Sequence, residues 1–199
     1  MKTPLVNPKS SKNIKLKKLI DFYNETLGFC PNSIKTMYIR PEIAYSFIEL
    51  NKAVMNNKGN VTSELKRMIG FISSNVSGCN YCKAHTIRAA ERYGASKKKI
   101  ENIWNFKTSD LFTKKEKIAL EFAYKSSIIP NAVDDEIANK LRKYWKDGEI
   151  VEILGVISLF GFLNRWNDSM GTKIEKPAYE SGEKLIPKNK WNPDKHIYK

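Results

Sequence analysis

The stretch 148–170 is the most apolar part of the 199-residue chain, and it limits what the chain can fold into. Its most apolar part, 150–163, contains Glu152 and is shorter than the roughly 20 residues that span a bilayer. The pattern therefore predicts a buried core helix. Apolar residues on most of a helix's circumference need cover on all sides, which favours a homo-oligomer. Arg165 either reaches solvent where the buried stretch ends or pairs with a carboxylate on another helix, and in both cases we expect a structural role for it.

Helix signals also dominate the chain before this stretch. Pro41 suits the first turn of a helix, and Thr62 or Ser63 suits an N-cap. Thr113 and Glu116 form a capping-box pattern ahead of an apolar run. No hairpin or internal repeat is evident. We therefore expect an all-α fold: one compact multi-helix domain over residues 1–171.

The segment 172–199 differs in composition from the rest of the chain. It contains three prolines and the aromatic residues Tyr179, Trp191 and Tyr198. This composition predicts an extended C-terminal arm that packs on another surface, such as a neighbouring subunit, with a disordered tail as the alternative. His196 is expected to be exposed there.

The formal net charge of +14 comes mostly from lysines spread along the whole chain. Arginine, the better residue for reading phosphates and bases, occurs only six times, and no nucleic-acid-binding module is recognisable. We therefore expect a solvated basic surface, with no specific nucleic acid and no membrane as partner. Residues 1–18 lack the apolar core of a secretory signal, which predicts a cytoplasmic protein.

The segment 77–86 (SGCNYCKAHT) contains the residues most suited to chemistry. Two residues between Cys79 and Cys82 place the thiols one helical turn apart at a helix N-terminus, where the dipole stabilises a thiolate. His85 shares a helical face with Cys82 and can move a proton near neutral pH. A zinc site using these three residues with Cys30, or simple packing of buried cysteines, are the alternatives. The pattern favours a redox pair.

The segment 78–86 resembles the redox motif of the alkylhydroperoxidase D-like branch of the carboxymuconolactone decarboxylase superfamily. Residues 112–116, the helix through 122–123 and the segment 162–168 are similar to its peroxidase-related members. The resemblance covers about 40–171. It implies an all-helical homo-oligomer, often a trimer or hexamer, that reduces peroxides through a dithiol–disulfide cycle.

The resemblance also implies roles for single residues. Cys82 is the cysteine attacked by peroxide and Cys79 resolves the sulfenic acid, with His85 in the proton relay. The chain departs from the family pattern at Tyr81 and Arg67, where the best-studied members have a relay His and a relay Glu, and in the spacing of His85. Glu64 lies one turn before Arg67 on the same helical face, so Glu64 or Tyr81 is expected to complete the relay.

The sequence thus predicts a thiol-dependent peroxidase or disulfide oxidoreductase. Its substrate is a hydroperoxide, its partner is an external thiol or dithiol protein reductant, and it needs no bound metal or flavin. Two alternatives remain. One is a decarboxylase-like enzyme without a redox role, and the other is a basic protein that binds nucleic acid or a membrane surface.

Overall fold

The computed structural model describes residues 4–8 and 14–197, and within α1 it leaves out the side chains of residues 14–16, 18 and 19. Within these ranges the regular structure is helical and contains no strand, which confirms the all-α prediction. Residues 1–3, 9–13 and 198–199, including Tyr198, lie outside the described residues. The α-helices are α1 (Ile14–Leu27), α2 (Asn32–Met37), α3 (Pro41–Val54), α4 (Ser63–Val76), α5 (Asn80–Arg92), α6 (Lys97–Glu101), α7 (Lys114–Ser127), α8 (Asp135–Tyr144), α9 (Asp147–Met170) and α10 (Lys176–Leu185).

Helix α4 lies at the centre of the fold, packed against α5, α7 and α9. Its middle turns are buried on every side, including Gly70. A Cβ atom added at Gly70 would lie within 3 Å of the Phe160 ring of α9, so only glycine allows these two helices to approach so closely. The sequence signals at the helix starts are also confirmed. Thr62 caps α4, and the Thr113–Glu116 capping box opens α7.

A buried lysine joins the central helix to two of its neighbours. The Lys66 ammonium of α4 donates to the carbonyl oxygens of Val54 and Asn56, which the end of α3 leaves without helical partners. It also pairs with Glu152 of α9, so that the side chain has no solvent exposure. The glutamate that interrupts the apolar stretch 150–163 is therefore the counterion of a buried cation.

Helix α9 buries one face and exposes the other within this chain. Val156 and Ile157 are buried, whereas Val151 and Phe162 are exposed. The expected homo-oligomer stays a prediction. Arg165 is exposed and forms no ion pair with any described carboxylate, so of the two alternatives the structure supports the solvent-exposed one and not the pairing. None of the helices in the described part of the chain is long and apolar enough to cross a membrane.

The C-terminal segment is not the extended arm expected from its prolines. It forms α10, which packs along α5 of the same chain, and Pro177 sits in the first turn of α10. Beyond α10, the Trp191 indole N–H donates to the carbonyl of Asn80 at 2.9 Å. Its ring covers Gly182, where a Cβ would lie 2.9 Å from the indole. Sequence reasoning missed this because prolines at a first turn and aromatics in a loop also suit an arm.

Candidate active site

The thiol pair lies where α4 turns into α5. Gly78 adopts φ +73°, in the left-handed region that favours glycine, and the turn brings Cys79 to the N-cap of α5. The Cys79 sulfur accepts a hydrogen bond from the backbone N–H of Cys82 at 3.4 Å. This is the helix N-terminal position that the Cys-x-x-Cys spacing predicts.

Both cysteines of the pair are buried free thiols. Burial raises the pKa of the Cys82 thiol well above its ordinary value, and the hydrogen bond and charge of Cys79 raise it further. The Asn167 amide donates to the Cys82 sulfur at 3.6 Å and opposes that shift. Cys82 is therefore a neutral thiol near pH 7 and must lose a proton before it can act as a nucleophile.

The third cysteine belongs to a different part of the molecule. Cys30 lies in a separate core cluster with Tyr23, Ile34 and Phe47. Burial raises the pKa of its thiol to about 11. The zinc set of Cys79, Cys82, His85 and Cys30 is not a cluster among the described residues.

His85 lies one turn after Cys82 and contacts Glu175. Its Nδ1 atom is 2.9 Å from the Tyr81 carbonyl, which can only accept, so Nδ1 carries a hydrogen. Its Nε2 atom lies 2.7 Å from Oε2 of Glu175. This His85–Glu175 proton pair lies beside the thiols, where an imidazole can give or take a proton.

Glu175 is held in place by neighbours from two other parts of the chain, α5 and the start of α2. The Tyr81 hydroxyl donates to its Oε1 atom at 3.1 Å, and the backbone N–H of Asn32 donates to the same atom. The Tyr81 ring stacks on His85 with 4.0 Å between the ring centres. Burial, followed by the charge of Glu175, raises the pKa of the Tyr81 phenol, which therefore keeps its hydrogen. These contacts fix the carboxylate that faces His85.

The sequence predicts that Glu64 or Tyr81 completes the proton relay, but the Glu64 side chain lies away from the thiols. Glu64 pairs with Lys99 at 3.2 Å, and Lys99 also binds Glu116 at 2.6 Å. Glu64 does not line the cavity beside Cys82. The prediction for Glu64 is wrong because Lys99 of α6 binds this carboxylate, which a helical-face pattern does not reveal. Glu175, which lies beside His85, was missed because a single glutamate before Lys176-Pro177 gives no sign of burial.

A second histidine approaches the other cysteine, and the prediction that it is exposed is wrong. His196 is completely buried, and its Nδ1 atom lies 2.7 Å from the Thr172 carbonyl, so that atom carries the hydrogen. Burial lowers the pKa of His196, which leaves Nε2 with a free lone pair. A ring nitrogen of His196, the Cys79 sulfur and an oxygen of Asp168 lie within 4.8 Å of one another.

This cluster contains the donor types that zinc accepts, namely a thiolate, an imidazole and a carboxylate. Asp168, however, is already paired with Lys195 at 3.0 Å. Its other oxygen is 3.6 Å from Nε2 of His196, beyond hydrogen-bond distance. Nε2 of His196 has no hydrogen-bond partner among the described residues, so it is free to take up a proton near Cys79.

A cavity of about 490 Å³ opens beside Cys82 and His85. Its walls combine side chains from α1, α3, α4, α5 and α9 with residues of the loop 55–62 and of α2. The aromatic residues that line it are Phe22, Tyr23, Phe47, Tyr81, Tyr93 and Phe160. Arg67 and Asn167 also reach it. A cavity of this size and character suits a small aromatic molecule placed against the Cys82 sulfur.

Comparisons with known proteins agree with this architecture. A model of the carboxymuconolactone decarboxylase family matches residues 41–125. The crystal structure of the debrominase Bmp8 is 34% identical and superposes with a TM-score of 0.85, with 91% of this chain and 97% of Bmp8 covered. This chain belongs to the carboxymuconolactone decarboxylase superfamily. The predicted family is thereby confirmed.

Other relatives extend the comparison. A peroxidase-related protein with an alkylhydroperoxidase AhpD core, from Ralstonia eutropha JMP134, is 21% identical with a TM-score of 0.79, over 94% of this chain and 99% of that one. At this identity the likeness shows the fold alone. The uncharacterised protein YnjA of Escherichia coli (strain K12) is 31% identical over 93 residues, which is 46% of this chain and only 50% of YnjA. The chain thus shares its fold with the Ralstonia protein, and part of its sequence is similar to YnjA.

Proposed function

We propose that this protein is a dithiol-dependent reductase that removes a halogen from a small aromatic compound. The observation that carries the proposal is the position of the Cys82 thiol on the wall of an aromatic cavity, with Cys79 beside it as the second thiol. The similar protein Bmp8 is a debrominase, and its C82A variant (in its own numbering) has been crystallised with 2,3,4-tribromopyrrole. A bromopyrrole is therefore the first substrate to test.

The proposed reaction starts at Cys82. Its thiol gives its proton to the His85–Glu175 pair, and the sulfur attacks the bromine atom of the bound ring. The carbon–bromine bond breaks with its electron pair on carbon, and that carbon takes the same proton from the pair. The products of this step are a debrominated ring and a sulfenyl bromide on Cys82.

In the second step Cys79 and Cys82 form a disulfide. Cys79 passes its proton to Nε2 of His196 and attacks the Cys82 sulfur, which expels bromide. Two electrons have then moved from the dithiol to the ring, one thiol proton replaces bromine on carbon, and the other leaves with bromide. An external thiol or dithiol protein reopens the disulfide.

Hydroperoxide reduction is the second candidate, because the motif 78–86 implies it and the same two sulfurs can perform it. In that reaction Cys82 attacks a peroxide oxygen and the proton held by His85 goes to the leaving alkoxide. A small peroxide would leave most of the 490 Å³ cavity empty, which favours the aromatic substrate. Both reactions need a reduced dithiol, in keeping with the expected cytoplasmic location.

The trimer or hexamer also remains part of the proposal.

The test is turnover by the purified full chain with a thiol reductant. The reduced protein is mixed with 2,3,4-tribromopyrrole or with cumene hydroperoxide, and bromide release, alcohol formation and disulfide formation are measured. Cys82→Ser should abolish turnover and Cys79→Ser should stop it after one reaction. Cys30→Ser is the matched control and should keep full activity. Bromide release that survives Cys82→Ser would rule out the dithiol mechanism, and turnover of peroxide alone would favour the second candidate.

A further inference from the structure

The charges around the cavity indicate which aromatic compounds it accepts. Three cationic side chains, Lys52, Lys58 and Arg67, line it together with His85. None of the described residues that line it is an aspartate or a glutamate. Lys52 and Lys58 are exposed, whereas Arg67 is only 5% exposed. A buried cation therefore faces a cavity whose described walls contain no carboxylate.

Arg67 is held by neutral partners alone. Its Nη1 atom donates to the Asn57 side-chain oxygen at 2.9 Å and to the Ser63 carbonyl at 3.1 Å. Its guanidinium lies over the Tyr93 ring, 3.9 Å from the ring centre. The buried Nε atom has no hydrogen-bond partner, and no carboxylate of the described residues is within ion-pair distance. Its position is fixed, but its charge is not neutralised.

Such an arrangement is costly unless a ligand completes it. A buried charge normally has a partner of opposite sign, and burial lowers the pKa of Arg67 because desolvation disfavours the cation. Arg67 lines the cavity, and a guanidinium N–H donates a charge-assisted hydrogen bond to a carboxylate, which also neutralises the cation. The aromatic side chains Phe22 and Phe160 also line the cavity and can hold an apolar ring.

We propose that this cavity selects aromatic carboxylates, with the carboxylate bound to Arg67 and the ring held by the aromatic walls. The inference rests on the proposed function only in that the ring's reducible atom then faces Cys82. The exposed Lys58 also lines the cavity and attracts the anion toward it, whereas Lys52 is paired with Glu49 at 2.9 Å.

The test uses ligands that cannot be reduced, so it does not depend on turnover. Binding of pyrrole-2-carboxylate and of its neutral analogue pyrrole-2-carboxamide to the reduced full chain is measured by titration calorimetry at pH 7. We expect the carboxylate to bind about 10- to 100-fold more tightly than the carboxamide, because the amide loses the charge-assisted hydrogen bond to the guanidinium. Equal affinities, or no binding of either compound, would overturn the proposal even if the protein debrominates neutral pyrroles.

Variants test whether Arg67 causes the preference for the carboxylate over the carboxamide. Arg67→Gln should bring the two affinities to within about threefold of each other, and Arg67→Lys should keep part of the preference. Arg142→Gln, which removes the same charge from an exposed site on α8, should leave the preference unchanged. A thermal melt shows whether each variant is folded. The comparison of the two ligands on the wild-type protein tests the proposal even if a variant does not fold. A preference that survives in folded Arg67→Gln contradicts the assignment.

Discussion

Replacing Glu175 with glutamine removes the charge of the carboxylate that contacts His85. The amide keeps the size of the side chain, and its oxygen can still accept from the Tyr81 hydroxyl and the Asn32 N–H. What is lost is the 2.7 Å contact between a carboxylate and the imidazole. The variant therefore changes the charge beside His85 while it keeps the shape of the site.

The size of the effect follows from that contact. A hydrogen bond to a charged group contributes about 1.5–3 kcal/mol, and each 1.36 kcal/mol changes a rate by about tenfold. Proton delivery from His85 should therefore slow by about 10- to 150-fold. The assay is a single turnover of the reduced protein with 2,3,4-tribromopyrrole, in which bromide release is followed by rapid quench. Glu183→Gln, on the exposed face of α10, is the control and should react at the wild-type rate.

The same experiment repeated across pH tests the state of the thiol. Because burial raises the pKa of Cys82, the thiolate fraction at pH 7 is small and grows about tenfold for each pH unit below that pKa. The wild-type rate should thus rise from pH 6.5 to pH 8.5, while the ratio between wild type and Glu175→Gln stays large. A folded Glu175→Gln protein that reacts within threefold of wild type would refute the role of the proton pair.

Two further predictions concern stability. Gly70→Ala forces the Phe160 ring aside and should lower the free energy of unfolding by about 1–3 kcal/mol, which lowers Tm by about 2–12 °C. The control Gly148→Ala has open space around the added Cβ and should not lower Tm; both variants are measured by calorimetry. Lys66→Met breaks the buried pair with Glu152 and should cost about 3 kcal/mol in urea unfolding, the low end of the usual range because Glu152 keeps a quarter of its exposure. Equal Tm values for the two alanine variants, or a Lys66→Met protein as stable as wild type, would contradict the packing described above.

Local signals in the sequence predicted the parts of the molecule that depend on neighbours within a helical turn. The cap of α4, the capping box of α7 and the Cys79–Cys82 start of α5 all follow from residues three apart. The partners of the site could not be found in this way, because Glu175 lies 94 residues after the Tyr81 that binds it. Periodicity places a residue on a face of its own helix, but it does not say which distant segment covers that face.

The two histidines of the site differ in the surroundings of their Nε2 atoms. Both donate Nδ1–H to a backbone carbonyl, so Nε2 is the working atom of each ring. In His85 that atom lies 2.7 Å from a carboxylate oxygen of Glu175, whereas in the buried His196, whose pKa burial lowers, it is 3.6 Å from the Asp168 oxygen. The proposed dithiol reductase needs one group that gives a proton to the released product and another that takes a proton from the resolving thiol. His85 lies one turn from Cys82 and His196 lies near Cys79, so the proposal assigns the first role to His85 and the second to His196.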